Sequence, residues 1–343
     1  MREFIEKVTC GMSLTEFDMR QAAEQLVFPT TPKEDIAEFL VALTKKGETV
    51  DEITTLVRVL KENAVQIPLE SKTIFDTCGT GGDGANTFNV STTVSFVLAG
   101  TGLKVAKHGN RKISGSTGSA DVLEALGIAL DFHPKEINHL IKEANIAFLF
   151  APHVHPMLKR VQEVRKSLGK ASIFNLIGPL TNPINLSSQL IGVYDKRRLT
   201  QLAKVAHQLG RNRAVLVTGP DGLDEASLAG TNHLVLMENG KTMSFTLHPE
   251  EVGLPVTPLD AIRGGDANEN AAILRSVLQG EPSPYYDTVL LNAGIALFAA
   301  GVSTTISEGI HQARKSIQSG NALQSLQQVI TYSNHRQLLE VKG

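Results

Sequence analysis

The first 70 residues carry the hydrophobic spacing of amphipathic helices. Apolar residues recur there at i, i+3, i+4 and i+7, which places them on one helical face. They are Ile36, Phe39, Leu40 and Leu43 in one stretch, and Ile53, Leu56, Val57 and Leu60 in another. Short helices of this kind must bury their apolar face against other elements. The region 1–70 is therefore predicted to form a small helical domain, which could also supply a subunit interface.

Three capping boxes predict where these helices begin. In each box a Ser or Thr is followed three residues later by Glu, a pairing that satisfies free N–H groups at a helix start. The pairs are Ser13 with Glu16, Thr31 with Glu34, and Thr49 with Glu52. Pro32 adds the proline that helices favour in their first turn.

From residue 71 onward, short apolar runs alternate with helical stretches. Strands are predicted at 103–107, 146–150, 214–219 and 233–237, and helices at 91–100, 119–127, 134–144 and 197–209. This alternation predicts a mostly parallel sheet covered by helices. Asn239-Gly240 is a dipeptide typical of tight hairpin turns, so one hairpin is expected in the sheet. The predicted fold class is α/β, with a large α/β domain over 71–343 beside the small all-helical domain.

A glycine-rich loop, GTGGDG at 79–84, lies between a predicted strand and a helix that begins near Ser91. Its spacing matches neither the GxxxxGK[ST] nor the GxGxxG phosphate motif. Glycine nevertheless lets a ligand approach main-chain N–H groups, and the free N–H groups of a first helical turn attract anions. Asn89 and Thr92 add side-chain donors. Phosphate is the expected ligand, and an ordinary tight turn is the alternative.

A second loop of the same kind lies in "KHGNRKISGSTGSADVLEALG", residues 107–127. Lys107 and Arg111 supply positive charge, and Asn110 supplies an amide. Ligands of open parallel sheets bind at the carboxyl ends of the strands, where both loops would lie. Two such loops suit a ligand with more than one phosphate group.

Two adjacent carboxylates follow a later strand, in "VTGPDGLDEAS" at 217–227. Beside a polyphosphate, Asp224 and Glu225 are most simply interpreted as direct or water-mediated Mg²⁺ ligands. The alternative is a solvated surface pair, which is common.

Arg165 lies within the apolar stripe of a predicted helix, together with Leu158, Val161 and Leu168. An arginine there either extends to the edge of the stripe or points into a cleft to meet an anion. Periodicity alone favours the first interpretation.

Composition narrows the class of protein. The chain has 343 residues, of which 42% are hydrophobic and 20% charged, and a net charge of −2. No block of like charge suggests nucleic-acid or membrane-surface binding, and no apolar stretch approaches the ~18 residues of a membrane span. Only two cysteines occur, Cys10 and Cys78, and the N-terminus lacks the apolar core of a signal peptide. A cytoplasmic protein is expected.

Four motifs together resemble one family, the anthranilate phosphoribosyltransferases. They are "GTGGDGANTFNVST", "KHGNR" with "GSADVLEALG", "HP…VR…LG…IFNLIGPLTNP" and "GLDE", in that order, and the likeness runs over essentially the whole chain. The resemblance implies transfer of the 5-phosphoribosyl group from phosphoribosyl pyrophosphate (PRPP) to the amine of anthranilate, in tryptophan biosynthesis. It also implies the nucleoside phosphorylase-like phosphoribosyltransferase fold, in which a central segment near 156–185 joins the helical domain. A homodimer through that domain is implied as well.

The resemblance also implies the site residues. The PRPP contacts would be Gly79, Gly82, Asp83, Thr87, Asn89, Val90, Ser91, Thr92, Lys107, His108, Gly109, Asn110, Arg111, Lys112, Ile113, Ser114, Gly115 and Ser119. The anthranilate contacts would be Gly79, Asn110 and Arg165, with His108 nearby. For Arg165 the resemblance thus reverses the preference from periodicity: its guanidinium would face the anthranilate carboxylate. Mg²⁺, expected as two ions per subunit with PRPP, would be bound by Ser91, Asp224 and Glu225.

Some positions depart from the family pattern. Lys112 and Gly115 change the second loop, and Ala171 stands where an arginine is common. None of these removes a matched charge from the principal sites. We assign no covalent nucleophile and no firm general base, because an arylamine is already neutral at pH 7. His108 is expected to position the substrate, and Asp83 to hydrogen-bond ribose, pyrophosphate or a metal-bound water.

Other features are given structural interpretations. His153 and His155 could form a metal pair, but no third ligand lies nearby in sequence, so loop packing is favoured. Cys78 is interpreted as a small buried hydrophobe. A pyrimidine nucleoside phosphorylase is the nearest rival function, and a non-catalytic relative that binds nucleic acid is a second. The retained Asp224-Glu225 pair disfavours both.

Overall fold

The computed structural model describes residues 1–111 and 117–340. Its α-helices are α1 (Arg2–Thr9), α2 (Glu16–Val27), α3 (Lys33–Lys46), α4 (Val50–Glu62), α5 (Val90–Gly100), α6 (Ser119–Ala125), α7 (Pro134–Glu143), α8 (Ala151–Val154), α9 (Lys159–Leu168), α10 (Phe174–Ile177), α11 (Leu199–Gln208), α12 (Ala267–Leu278), α13 (Pro284–Ala299), α14 (Ile306–Gln318) and α15 (Asn321–Glu340). Its strands are β1 (Phe75–Gly79), β2 (Val105–Gly109), β3 (Ile146–Phe150), β4 (Ser188–Gly192), β5 (Arg213–Thr218), β6 (Asn232–Glu238) and β7 (Lys241–Leu247).

The strands form one sheet in the order β3-β2-β1-β4-β5-β6-β7. Neighbouring strands from β3 to β5 run parallel, whereas β6 and β7 are antiparallel to their neighbours. The turn between β6 and β7 has φ values of 49° at Asn239 and 81° at Gly240, which is the conformation that this dipeptide favours. The predicted mostly parallel sheet and its hairpin are both confirmed.

Alternate side chains of the central strands enter two apolar cores, one on each face of the sheet. On β5, Val215 and Val217 belong to the core that contains α5 and α12 to α15, while Ala214 and Leu216 belong to the core that contains α11. This alternation follows from the two-residue period of a strand. The second core continues into the N-terminal helices, so the helical region is joined to the sheet by shared apolar packing.

Both predicted apolar stripes of the N-terminal helices are buried, as expected. Helix α9 packs against α2 and α3, although it lies far from them in sequence. Val161 and Val164 of α9 are buried in the same core as the stripes of α3 and α4. The helical region therefore includes chain from the centre of the sequence.

One predicted helix start is wrong by two residues. Helix α2 is capped by Thr15, not Ser13, and Thr15 forms a capping box with Asp18. The reason is tertiary: the side chain of Leu14 is buried, and its N–H donates to Glu52 Oε1 at 2.9 Å. This anchor keeps the chain extended through Leu14, so the helix begins after it.

The box at Thr49 and Glu52 is confirmed, whereas the box at Thr31 is wrong. Thr31 donates its hydroxyl to the carbonyl of Gln25 at 2.7 Å, at the end of the preceding helix, and does not cap α3. Pro32 occupies the N-cap position of α3 without a side-chain hydrogen bond.

The predicted strands are close to those observed, with one omission. The prediction for β3 is confirmed in full, and β2 begins at Val105, two residues later than predicted. Strand β4 was not predicted, because Ser188 and Gln189 interrupt its apolar pattern although both are buried. Within the described ranges, no helix is long and apolar enough to cross a membrane.

Candidate active site

The loop between β1 and α5 adopts a main-chain conformation that favours glycine. Gly81, Gly82 and Gly84 have φ values of 69°, 88° and 71°, in the left-handed region that other residues rarely adopt. A Cβ atom added to Gly81 or Gly84 would meet nothing within 4 Å. Thr92, in the first turn of α5, has a buried hydroxyl with no hydrogen-bond partner in the described part of the chain. The open loop and this hydroxyl are suited to an anion.

Gly79, by contrast, is constrained by the protein itself. A Cβ atom there would lie 2.2 Å from Asp224 Oδ2, and one on Gly192 would lie 1.6 Å from the Asp224 carbonyl oxygen. Gly81 N–H also donates to Asp224 Oδ2 at 2.6 Å. Glycines at the ends of β1 and β4 therefore admit the loop that follows β5, and the acidic pair meets the first glycine loop.

The carboxyl groups at this junction are poorly compensated. Burial raises the pKa of Asp224 and of Glu225 well above their ordinary values, and repulsion from neighbouring carboxylates, including Asp83, adds to both shifts. For Glu225, attraction to Lys107 and a hydrogen bond from the main-chain N–H of Ser91 act in the opposite direction. Such a group of acids favours a cation.

Within the described residues, no three His, Cys, Asp or Glu side chains are arranged to hold a metal ion by themselves. Any Mg²⁺ here must therefore complete its coordination with water or with ligand oxygens. That is usual for Mg²⁺, which is commonly bound by one or two carboxylates together with phosphate oxygens.

Strand β2 brings Lys107 and His108 to the cleft. Both side chains are buried, and Lys107 Nζ donates to the His108 carbonyl at 3.3 Å. His108 Nδ1 lies 3.2 Å from the Gly178 carbonyl oxygen, so Nδ1 carries the proton. Burial lowers the pKa of His108 to about 3. The ring is therefore neutral at pH 7, and Nε2, which has no partner among the described residues, presents a lone pair.

The second loop begins with an ordered turn. Asn110 N–H donates to Ser119 Oγ at 3.2 Å, and a Cβ atom on Gly109 would lie 2.4 Å from that oxygen. Arg111 is held by Asp121 and Glu124, each at 2.6 Å. Its guanidinium is thus already neutralised by two acids of α6. The expected contacts Lys112, Ile113, Ser114 and Gly115 lie outside the described residues.

Arg165 of α9 lines the same cleft. Its guanidinium donates to Gln162 Oε1 at 3.2 Å and to Asn175 Oδ1 at 3.4 Å, and its Cζ lies 5.4 Å from the Phe174 ring centroid. Burial lowers its pKa, yet no described carboxylate pairs with it. A half-buried arginine between neutral partners is suited to bind a ligand anion.

All these groups line one cleft of about 360 Å³. Every predicted site residue that the structure describes contributes to its wall: Gly79, Gly82, Asp83, Thr87, Asn89, Val90, Ser91, Thr92, Lys107, His108, Gly109, Asn110, Arg111, Ser119, Arg165, Asp224 and Glu225. The acids come from the loop after β5, beside the first glycine loop, whereas Arg165 comes from α9, so separate elements supply the anionic and the cationic groups of the cleft.

Comparisons with known proteins identify the family. Residues 71–323 match the model of the glycosyl transferase family a/b domain, and residues 2–64 match that of its helical bundle domain. The anthranilate phosphoribosyltransferase of Exiguobacterium sibiricum is 53% identical over 327 residues, covering 95% of this chain and 96% of the relative. That of Listeria welshimeri is 52% identical over 332 residues, covering 97% and 98%. The chain belongs to the anthranilate phosphoribosyltransferase family.

Solved structures of the family agree with this fold. The enzyme from Thermus thermophilus is 38% identical, with a TM-score of 0.91 over 96% of this chain and 99% of that one. An enzyme from Saccharomyces cerevisiae, solved in complex with PRPP and Mg, is 29% identical, with a TM-score of 0.89 over 97% of each chain. The family and the fold class expected from the sequence are both confirmed.

Several residues of the cleft were not predicted. Gln162, Phe174 and Asn175 contact Arg165, Leu158 lines the same cleft, and Gly178 lies against His108. They come from the turn before α9, from α9 and from the segment after it, and in sequence they look like ordinary core or surface residues. The presence of Arg165 in an apolar stripe was the available signal that this helix borders a cleft.

His155 has a larger part in the site than expected. It is buried, its Nε2 lies 2.9 Å from the Thr181 carbonyl oxygen, and its ring packs edge-on to His108 with centroids 5.6 Å apart. His153 is exposed, so the two side chains do not face one site. Cys78 is only partly buried and lines the cleft, whereas a buried core residue was expected, and burial raises the pKa of its thiol to about 12. It is therefore not a thiolate nucleophile at neutral pH.

Proposed function

We propose that this cleft binds PRPP by its acidic and glycine-rich end and anthranilate by its Arg165 end. The family reaction transfers the 5-phosphoribosyl group from PRPP to the amine of anthranilate and releases pyrophosphate, a step of L-tryptophan biosynthesis. The observation that supports this orientation is the different origin of the charged groups. Two acids come from the loop after β5, beside the first glycine loop, whereas α9 supplies an arginine that pairs with no described carboxylate. PRPP needs cations and N–H donors, whereas anthranilate carries one carboxylate.

For PRPP, the donors are main-chain N–H groups of the first glycine loop, the free hydroxyl of Thr92, and the Lys107 ammonium. Lys107 is buried between the acids Asp76 and Glu225, and its ammonium donates a hydrogen bond to one carbonyl oxygen, so further N–H donors remain for the phosphates. Fixed donors in a dry site stabilise developing negative charge without reorganising. These groups are thus suited to the departing pyrophosphate.

The acids beside the first glycine loop fit Mg²⁺. Asp224 and Glu225, with Ser91 beside them, would hold it. Two ions per subunit would offset the negative charge of these acids and of the pyrophosphate. Bound Mg²⁺ would neutralise the pyrophosphate oxygens as the bond to ribose breaks. The raised pKa values of both acids support this assignment, because a cation would restore their ionised forms. A relative's structure with PRPP and Mg supports it as well.

For anthranilate, Arg165 would bind the carboxylate, and Asn110 and Gly79, which line the same cleft, would supply further contacts. The phenyl ring of Phe174 and the side chain of Leu158 supply apolar contacts for an aromatic ring. His108 Nε2 offers a lone pair to an amine N–H. Its low pKa makes it a weak base, which suits positioning more than proton abstraction.

In the reaction, the amine nitrogen forms a bond to ribose C1 while the bond from C1 to the pyrophosphate oxygen breaks. The amine loses its proton late, so no strong base is needed. Correct alignment of nitrogen and C1 supplies one large contribution to rate, and stabilisation of the leaving group supplies the other. No residue forms a covalent intermediate in this scheme.

We further propose that residues 1–70 and the segment 156–185 form one helical domain, that the rest of 71–343 forms the α/β domain, and that two copies associate through the helical one. The packing of α9 on α2 and α3 supports the single helical domain.

The exposed hydrophobic residues of the helical region support the dimer. Four large ones are exposed there: Met12, Phe17, Phe28 and Val41. We place the enzyme in the cytoplasm, in keeping with its two unpaired cysteines.

The direct test is the decay of anthranilate fluorescence on mixing with the purified protein. Decay is expected only when PRPP and Mg²⁺ are both present. A parallel assay of thymidine phosphorolysis tests the rival phosphorylase activity. Phosphorolysis without anthranilate consumption would overturn the proposal.

A further inference from the structure

A buried charged cluster lies beneath the cleft and takes no part in the mechanism above. It contains Arg211, Asp76, Gln189 and Asn182, all 0% or 1% exposed. None of the four lines the cleft. A fully buried arginine is costly to maintain unless its contacts are well formed, so its position calls for an explanation.

Arg211 connects two parts of the chain. Its Nε donates to Gln189 Oε1 at 3.2 Å, and its Nη2 donates to the Leu180 carbonyl at 3.1 Å. Gln189 Nε2 in turn donates to Asp76 Oδ2 at 3.2 Å and to the Pro179 carbonyl at 2.6 Å. Arg211 thus holds both a strand side chain and the segment that follows α10.

Asp76 carries the connection to the active site. Its Oδ1 accepts the main-chain N–H of His108 at 3.2 Å, and its Oδ2 also accepts from Asn182 Nδ2 at 3.1 Å. A line of hydrogen bonds therefore runs from Arg211 through Gln189 and Asp76 to the main chain of His108.

The segment held by this cluster also fixes the two imidazole rings. The Gly178 carbonyl accepts from His108 Nδ1, and the Thr181 carbonyl accepts from His155 Nε2. The hydrogen bond at one ring nitrogen determines which tautomer is present. Two hydrogen bonds thus fix His108: its main-chain N–H donates to Asp76, and its ring Nδ1 donates to the Gly178 carbonyl.

The charges of the cluster are incompletely balanced. Asp76 faces Lys107 from β2 and Arg211 from the segment before β5, while Lys61 of α4 faces Arg211 and Cys78 lies on the same strand as Asp76. Burial raises the pKa of Asp76 to about 6, and attraction to Lys107 and Arg211 opposes that rise. Removing either cation should raise the pKa of Asp76 further.

We propose that Arg211 is a positioning residue for the transfer reaction: through Gln189 and Asp76 it holds the main chain and ring of His108, and the adjacent Lys107, in their working arrangement. This inference rests on the roles proposed above for His108 and Lys107. A purely structural role would predict a change in stability alone, because buried ion pairs can often be replaced by apolar residues without loss of fold.

The kinetic test compares Arg211→Met with Arg211→Lys. The Met variant, corrected for folded fraction by thermal unfolding, is expected to lose about tenfold or more in kcat, with a smaller change in KM for anthranilate. The ionised form of Asp76 is the active one, so kcat falls as the pH drops through the pKa of Asp76; this fall is the acidic limb of the pH profile of kcat. Because loss of Arg211 raises that pKa, the acidic limb of the Met variant should move to higher pH. The Lys variant keeps the charge, so its limb should stay near that of the wild type and its kcat should be partly restored.

Asp76→Asn provides a second variant of nearly unchanged shape. It cannot ionise, so it should lower kcat and remove the acidic limb that belongs to Asp76. If the Met variant does not fold, this variant and Arg211→Lys decide the matter.

A measurement without substrate separates this inference from the proposed function. Imidazole ¹⁵N shifts should show a protonated Nδ1 at His108 in the wild type and a mixture of tautomers in Arg211→Met. This result can be read even in a protein that transfers nothing to anthranilate. The inference is overturned if the variants keep the wild-type kcat and limb, or if kcat falls while the limb and the His108 tautomer stay unchanged.

Discussion

His108 illustrates how burial decides the chemistry of one side chain. Its sequence context, beside a lysine in a polar loop, suits an ordinary histidine that titrates near neutrality. In the structure it is enclosed, its pKa falls to about 3, and its Nδ1 is committed to a carbonyl oxygen. The charged form is thereby disfavoured, and the lone pair on Nε2 has no partner among the described residues. Burial shifts the pKa values of Asp224 and Glu225 in the opposite direction, upward, because the charged form of an acid is the deprotonated one and burial disfavours it.

The first prediction concerns these two acids. The double variant Asp224→Asn and Glu225→Gln should lower kcat on the order of 100-fold, because charge stabilisation at the leaving group is lost. Without Mg²⁺ its melting temperature should not fall, since two acids with unfavourable ionisation are removed. Addition of Mg²⁺ and PRPP should stabilise the wild type more than the variant.

Asp221→Asn is the matched control, because Asp221 is exposed in the same loop and does not line the cleft. Its φ of 57° is one that Asn tolerates well. Near-normal turnover by the double variant at ordinary Mg²⁺ concentration would remove the acids from the mechanism.

The second prediction concerns Arg165. Arg165→Ala should raise the KM for anthranilate by about tenfold or more, since a charged hydrogen bond to the carboxylate is lost, and should leave the KM for PRPP nearly unchanged. Steady-state kinetics with each substrate varied in turn provide the measurement. Lys166→Ala, an exposed neighbour on α9, is the control. Unchanged anthranilate kinetics in the Arg165 variant would show that the carboxylate binds elsewhere.

At the scale of elements, the sequence predicted structure well where local pattern and burial agree. Strand β3 is apolar throughout and was predicted correctly, whereas β4 was not predicted because buried Gln189 looks like a surface residue. Its polar atoms are satisfied by Asp76 and Arg211, which lie far from it in sequence. A single sequence gives no sign of such partners.

The same limit applied to the candidate site. The motifs predicted residues for phosphate and metal, and the structure brings the described ones to one cleft, but it also gives a reason for Gly79 that the motif did not show. The sequence suggested close approach of a ligand, and the structure adds close approach of Asp224, which lies 145 residues away in a different loop. The apolar wall around Arg165 was likewise missed, because core residues and ligand-contacting apolar residues have the same composition.

The third prediction tests this contact between loops. Gly192→Ala places a methyl group where the Asp224 carbonyl now lies, so the acidic loop must move. Mg²⁺-dependent activity should then fall about tenfold or more, with an apparent increase in the Mg²⁺ concentration needed for half-maximal rate. A titration of rate against Mg²⁺ measures both.

Ile191→Val, on the same strand, is the control for stability. It should cost roughly 1 kcal/mol of unfolding free energy and leave the Mg²⁺ dependence as in the wild type. If Gly192→Ala behaved like this control, the acidic loop would not need the glycine for its function.

At the scale of the whole molecule, two apolar cores lie on opposite faces of the sheet, and each packs a different set of helices against it. The core with α5 and α12 to α15 supports the strand ends that carry the glycine loops, and the other continues into the N-terminal helices and α9. The groups proposed to bind PRPP therefore lie in segments that follow strands of the sheet, whereas Arg165 lies on a helix packed on the N-terminal region. The motifs reveal each set of residues separately, whereas their meeting in one cleft depends on the fold.

The fourth prediction concerns association of subunits. Val41 is 44% exposed on α3, and Val41→Asp should weaken a dimer formed through the helical region, because the acid would have to be buried unpaired. Light scattering over a dilution series should show a wild-type dimer and a shift of the variant toward monomer. Val256→Asp, at a similarly exposed valine outside that region (49%), should leave the mass unchanged. A wild type that is monomeric throughout would exclude the dimer.

The contrast between the two thiols has a practical consequence. Cys10 is exposed at the end of the first helix, whereas Cys78 stays protonated in the cleft wall because its pKa is about 12. A maleimide dye at neutral pH will therefore couple to Cys10 and spare Cys78, since only thiolates react readily. The natural protein can thus be labelled at one known point without mutagenesis, and its helical region can be followed by fluorescence while the enzyme turns over.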